Sequence, residues 1–212
     1  MNSLYGNLKD VIMMTWPMLF ISLVILVSVR ISFLIKHKEE FILYKEITLL
    51  LFVLYILCLF QIVTAQDVNI YEGNNFIPFT EIFRYEIGSK YFIKNIIGNV
   101  IMFMPYGFFV GKFASLKNTK LTIFLLLLAS ISIEVTQLLI GRVFDVDDII
   151  LNIIGSVGGY LIYVILSAID HKLPDFTKKV WFRNILVIIF IAAIIFLYYN
   201  VGLWGIIRWL II

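Results

Sequence analysis

SISIEVTQLLIGRVFDVDDIILNIIGSVGG, residues 130–159, joins two strongly apolar segments through eight residues, 141–148, that hold three carboxylates and one arginine. The first segment also carries Glu134 before it ends. A charge at the centre of a bilayer is disfavoured by at least ~2.5 kcal/mol, so Glu134 needs a partner, a watery cavity or a task. The flanking runs suit membrane-spanning helices and are too continuously apolar for barrel strands, which alternate. This stretch therefore sets the fold class and marks the expected functional centre.

Outward from it, the chain keeps the same character. Of its 212 residues 62% are apolar and 15% charged, far from the mix of a soluble domain. Six runs, 11–29, 47–65, 93–111, 121–140, 149–169 and 184–207, can each cross ~30 Å of hydrocarbon at ~1.5 Å per residue. The expectation is an all-α polytopic membrane bundle of about six transmembrane helices, with a short interfacial helix in the loop after the second. It divides into two N-terminal spans (1–70), a core with three (71–169) and a last span (170–212). Cys58 is the single cysteine, which excludes an intramolecular disulfide. A net charge of +3 is too small to imply nucleic acid as a partner.

Eleven of the seventeen Lys and Arg fall in the first, third and fifth loops, which the positive-inside rule places in the cytoplasm. Both termini and the loops 66–92 and 141–148 are then extracytoplasmic. No cleavable signal-peptide pattern is present, so Met1 onward is expected to be retained. Trp204, Arg208 and Trp209 resemble an interfacial belt at the outer end of the sixth span.

In EGNNFIPFTEIFRYEIG, residues 72–88, Phe79, Ile82, Phe83 and Ile87 recur at helical spacing. The spacing predicts a short amphipathic helix starting at Asn75 or Pro78, its apolar face on the outer leaflet or dipping back into the protein. In the third span Asn95 and Asn99 share a face with Gly98 and Met102, Pro105 should kink the helix, and Gly107 with Gly111 permits close packing. In the fourth, Ser130, Glu134 and Gln137 share a face, and Glu134 lies about 9 Å from the span's end. Arg142 is the nearest candidate counter-charge, able to reach inward along its alkyl stem. In the fifth, Asp148, Asn152, Gly155 and Gly159 line one face. Asp145, Asp147 and Asp148 stand at that helix's N-terminus, where one of them is accounted for as a cap.

Polar groups at one depth on three helices predict a cavity open to the outside, built from Asn95, Asn99, Glu134, Gln137, Arg142, Asp145, Asp147, Asp148 and Asn152. The plain alternative is interhelical glue, worth ~0.6 kcal/mol per hydrogen bond. No cofactor is expected; a divalent cation is possible on Glu134, Asp145, Asp147 and Asp148, whose oxygens suit it. No GxSxG, HExxH or CxxC occurs, and His37 and His171 fall in loops away from the site, so no nucleophile signature points to an enzyme. Transport with Glu134 as a proton-coupled carboxylate is the third class, disfavoured by the lack of an inverted repeat.

NNFIPF (74–79), NIIGNVIMFMPYG (95–107) and SIEVTQLLIGRVFDVDDIILNIIGSVGG (132–159) together resemble the VanZ-like membrane proteins, over roughly residues 75–160. The family pattern falls on Asn75, Pro78, Asn95, Gly98, Asn99, Pro105, Gly107, Glu134, Gln137, Arg142, Asp145, Asp147, Asp148, Asn152, Gly155 and Gly159. The resemblance implies a role in lowering susceptibility to lipoglycopeptide antibiotics of the teicoplanin type at the outer membrane surface. The expected partners are membrane lipid and either the antibiotic or a cell-wall lipid intermediate. The alternative is a metal-assisted enzyme acting on a lipid-linked phosphate or glycan.

Overall fold

A computed structural model describes residues 2–64, 73–114 and 119–211, with side chains for 15–64, 73–114 and 120–197. The helices are α1 (Asn2–His37), α2 (Leu43–Thr64), α3 (Thr80–Arg84), a π-helical turn (Phe92–Ile97) running into α4 (Gly98–Ala114), α5 (Thr119–Leu139), α6 (Val146–Lys172), α7 (Asp175–Lys178) and α8 (Val180–Ile211). Six of these segments are long and apolar enough to cross a membrane. The protein is an all-α membrane bundle. Among the described residues there is no strand, only one isolated parallel bridge between Asn75 and Asp145.

Burial is inverted relative to a soluble protein. Among the described residues the largest fully buried side chains are Phe103, Glu134, Asp147, Ser130 and Ser156, and only the first is apolar. Isoleucine, leucine and phenylalanine instead cover the outer helix faces. Lipid tails solvate apolar side chains as well as a protein core does, so here the interior collects the groups that lipid cannot satisfy.

The chain divides into two compact units. One holds residues 1–22 and 52–169, the other 23–51 and 170–212. In the second, Arg30 pairs with Glu46 at 2.8 Å and Glu39 at 3.5 Å. These partners let α1 run on to His37, past the charge at which the sequence expectation ended the first span. Arg183 pairs with Asp170 at 2.8 Å, and Asn184 accepts the Tyr44 N–H at 3.1 Å.

In the first unit α4 and α6 meet backbone to backbone. A Cβ on Gly155 or Gly159 would overlap the carbonyls of Val100 and Met104, and one on Gly107 would overlap that of Ser156. Gly111 lies instead under the rings of Tyr163 and Tyr160. Pro105 sits inside α4 and removes one backbone donor; the Tyr55 hydroxyl donates at 2.8 Å to the carbonyl of Met102 on that turn. Leu59, Val63 and Phe103 form a small apolar core, packed by Tyr55, Met102, Tyr106 and Ile133.

The interfacial helix is shorter than its periodicity suggested. It is the five-residue α3, and Phe79, expected to be helical, takes a left-handed conformation (φ 69°) just before it. Residues 66–72 of that loop, and the side chains of Trp204, Arg208 and Trp209, lie outside the described residues.

Candidate functional site

The site begins where α5 ends. Gly141 adopts φ 84°, its N–H donates to the Leu138 carbonyl at 3.1 Å, and the Arg142 N–H donates to that of Gln137 at 2.9 Å. This is a Schellman closure, with glycine where the backbone must turn left-handed. It folds Arg142 back onto the last turn of α5. Gln137 therefore stands between Arg142 and Glu134: its amide donates to Glu134 Oε1 at 2.9 Å and accepts from Arg142. Arg142 also donates to the Val63 carbonyl at 2.9 Å, in the last turn of α2, where unpaired carbonyls and the helix dipole favour a cation.

The start of α6 uses its three aspartates in three different ways. Asp145 is the N-cap: its Oδ1 accepts the Asp147 N–H at 2.8 Å, and the same oxygen accepts from Asn75 Nδ2 at 2.8 Å. Burial pushes the Asp145 carboxyl above the usual aspartate range, and those two donors act against the shift. Asp147 reaches sideways, its two oxygens accepting the backbone N–H groups of Phe79, Glu81 and Ile82 at the start of α3. Asp148 accepts from the Asn99 side chain on α4. Glu134 completes the set, accepting the Asp145 N–H on Oε2 at 3.2 Å.

Strand-like contacts bind the two loops of this end together. The Asn75 N–H donates to the Phe144 carbonyl at 2.8 Å, and the Val146 N–H donates to the Asn75 carbonyl at 3.1 Å. The Phe144 N–H donates to Asn74 Oδ1 at 3.0 Å, and Phe76 stacks on Phe144 at 5.4 Å. Pro78 is exposed in the turn leading to α3.

Asn95 and Asn99 part company. Asn95 Nδ2 donates to the Tyr85 hydroxyl at 2.9 Å while Asn99 serves Asp148. Asn95 lies in the π-helical turn at 92–97 and Asn99 just inside α4, so the two meet different partners at successive turns. Neither Tyr85 nor the Val63 carbonyl was a candidate; no spacing rule points to a loop tyrosine or a backbone oxygen on another span.

The centre is nearly closed to solvent. Glu134 and Asp147 are 1% exposed and Asn152 2%, whereas Asn99, Arg142, Asp145 and Asp148 are half-buried and form a rim. Asn152 Oδ1 and Ser156 Oγ, one turn apart on α6, are buried without a hydrogen-bond partner among the described residues. Among the described residues no three His, Cys, Asp or Glu side chains group as a metal-binding set. Each of the carboxylates accepts from a separate protein donor.

This geometry defines a class: a polytopic helical membrane protein in which α4, α5 and α6 meet the loops after α2 and α5 in one buried polar network. A family model described as VanZ/LLP1 matches residues 47–167, more than half of the chain, and the chain belongs to that family. The match takes in α2 from Ile47, which supplies the Val63 carbonyl, as well as the whole site. No curated protein and no solved structure matches the chain.

Proposed function

We propose that this protein is a cell-envelope membrane factor that lowers susceptibility to lipoglycopeptide antibiotics of the teicoplanin type, and that it acts by binding. The observation that supports this is the half-buried rim of Asn99, Arg142, Asp145 and Asp148 over a closed polar centre, next to apolar helix faces. Polar donors and acceptors beside lipid-facing surface suit an amphiphile, either the antibiotic with its acyl tail or a cell-wall lipid intermediate. In this reading Glu134 and Gln137 hold the rim in place and Arg142, Asp145 and Asp148 meet the ligand.

The test is susceptibility of a deletion strain complemented with wild type, Glu134→Gln, Arg142→Ala or Asp148→Asn, at matched abundance in the membrane. Wild type should restore teicoplanin tolerance and the three variants should not, with vancomycin as the comparison drug. Loss of one charge-assisted hydrogen bond, ~1.5–3 kcal/mol, corresponds to roughly tenfold or more in affinity. Four strains of equal tolerance would refute binding through this rim.

The same reading places the site outside the cytoplasm, as the Lys and Arg distribution suggests. In a Cys58→Ser background, Gly73→Cys should react with an impermeant maleimide on intact cells while Glu40→Cys stays protected until lysis. The opposite pattern would put the site in the cytoplasm and remove antibiotic contact from consideration.

A further inference from the structure

Residues 76–91 carry an apolar face of which the described residues cover only the Phe76 ring, stacked on Phe144. Phe76, Ile77, Phe79, Phe83, Ile87 and Tyr91 are each more than half exposed, with Phe83 at 82% and Ile87 at 86%. So much bare aromatic and aliphatic surface in one loop marks a contact site rather than a water-facing connection.

Hydrogen bonds fix the depth of this segment. Asp147, in the first turn of α6, holds the backbone at Phe79, Glu81 and Ile82, and Asn95, near the start of the third span, holds the Tyr85 hydroxyl. At ~1.5 Å per residue the 27 residues of α6 are ~40 Å long, more than the ~30 Å of hydrocarbon, so its first turn lies in the interfacial layer. The segment tied to that turn lies in the same layer. Lys90 within it and Lys94 just beyond it are exposed, placed to carry their stems over apolar surface and their charges to lipid headgroups, while Arg84 pairs with Glu81 at 3.0 Å. The exposed face also continues into lipid-facing surface, Ile93 and Ile101 on the third span and Leu139 at the end of α5.

We propose that residues 76–91 form an in-plane membrane anchor, whose apolar side chains lie at the headgroup–acyl boundary of the leaflet and whose partner is the lipid surface itself. Unlike a free amphipathic helix, this segment, whose helix α3 spans only Thr80–Arg84, is bolted to a transmembrane helix through Asp147. The anchor therefore holds the leaflet at a set height against the site's rim.

The experiment uses the full chain with Cys58→Ser and one new cysteine, Phe83→Cys, Ile87→Cys or the polar control Glu86→Cys, labelled with an environment-sensitive NBD dye. Each variant is placed in phosphatidylcholine–phosphatidylglycerol vesicles at two protein-to-lipid ratios. Quenching is read with a nitroxide carried high on a lipid acyl chain and with aqueous iodide. At positions 83 and 87 the lipid nitroxide should quench about twofold more than at 86, and iodide correspondingly less, at both ratios. Iodide quenching at 83 and 87 equal to that at 86 would show a water-facing loop and overturn the anchor. Nitroxide quenching lost at the higher protein ratio would show that a second copy of the chain covers the face, and would overturn it as well.

Discussion

Asp147→Ala is expected to be the most damaging truncation at the site, lowering stability by about 3 kcal/mol or more. The carboxylate is 1% exposed and accepts three backbone N–H groups, those of Phe79, Glu81 and Ile82. Each donor left without a partner costs ~1–3 kcal/mol, and water reaches them only in part. The loss does not stop at hydrogen bonds, because Phe79 is held at φ 69°, a conformation that a bulky side chain adopts only under external constraint. Without the carboxylate that residue should relax and α3, a single turn, should not persist. Asp147→Asn makes the sharper test. As an N-cap, asparagine serves about as well as aspartate. Here both oxygens of Asp147 accept, so an asparagine carbonyl can keep the Glu81 and Ile82 N–H groups while its amide nitrogen faces the Phe79 N–H, and the Asp147→Asn variant should fall between wild type and alanine. Thermal unfolding in detergent, with proteolysis at 76–91 as the local readout, separates the two: a fully tolerated asparagine would show that the Phe79 N–H bond to Asp147 contributes nothing to stability.

The sequence announces the site through cost. Glu134 inside an apolar run, and three carboxylates beside another, stand out because lipid offers them nothing. The bundle is legible for the same reason, and so is the fact that α4, α5 and α6 each bring polar groups into it. The division of labour among those groups is not legible. Asp145, Asp147 and Asp148 are near neighbours of one chemical type, and only the path of the loop after α2 decides that one caps α6, one caps α3 and one meets Asn99. Helical periodicity likewise groups Asn95 with Asn99, but it does not say that one meets Tyr85 and the other Asp148. Arg142 illustrates the same limit in the opposite direction. Its reach toward Glu134 was readable from chain distance, yet Gly141 folds it back so that Gln137 lies between the two charges.

Gly159→Leu should leave little or no folded protein in the membrane, and Gly159→Ala alone should cost about 3 kcal/mol, the upper part of the usual range for overpacking. A Cβ at this position would overlap the Met104 carbonyl, and the obstacle is backbone, which cannot swing aside as a side chain does. Gly155, one turn earlier, faces Val100 in the same way, and Gly107 faces Ser156 from the opposite helix, so α4 and α6 touch along about two turns. Separating them would draw Asn99 away from Asp148 and open the end of the bundle on which the loops are fastened. Gly158 is the internal control. It lies in the same helix beside Gly159, but a Cβ there meets nothing within 4 Å. Gly158→Ala should therefore be neutral or stabilising, since glycine is the weaker helix former by ~1 kcal/mol. The comparison is made by membrane abundance and by gel filtration of detergent-solubilised protein. Equal behaviour of the 158 and 159 alanines would mean that the α4–α6 contact is not a constraint on this fold. Loss at 159 with survival at 158 would locate that constraint in the backbone contact, on the same face of α6 as the Asp148–Asn99 pair it supports.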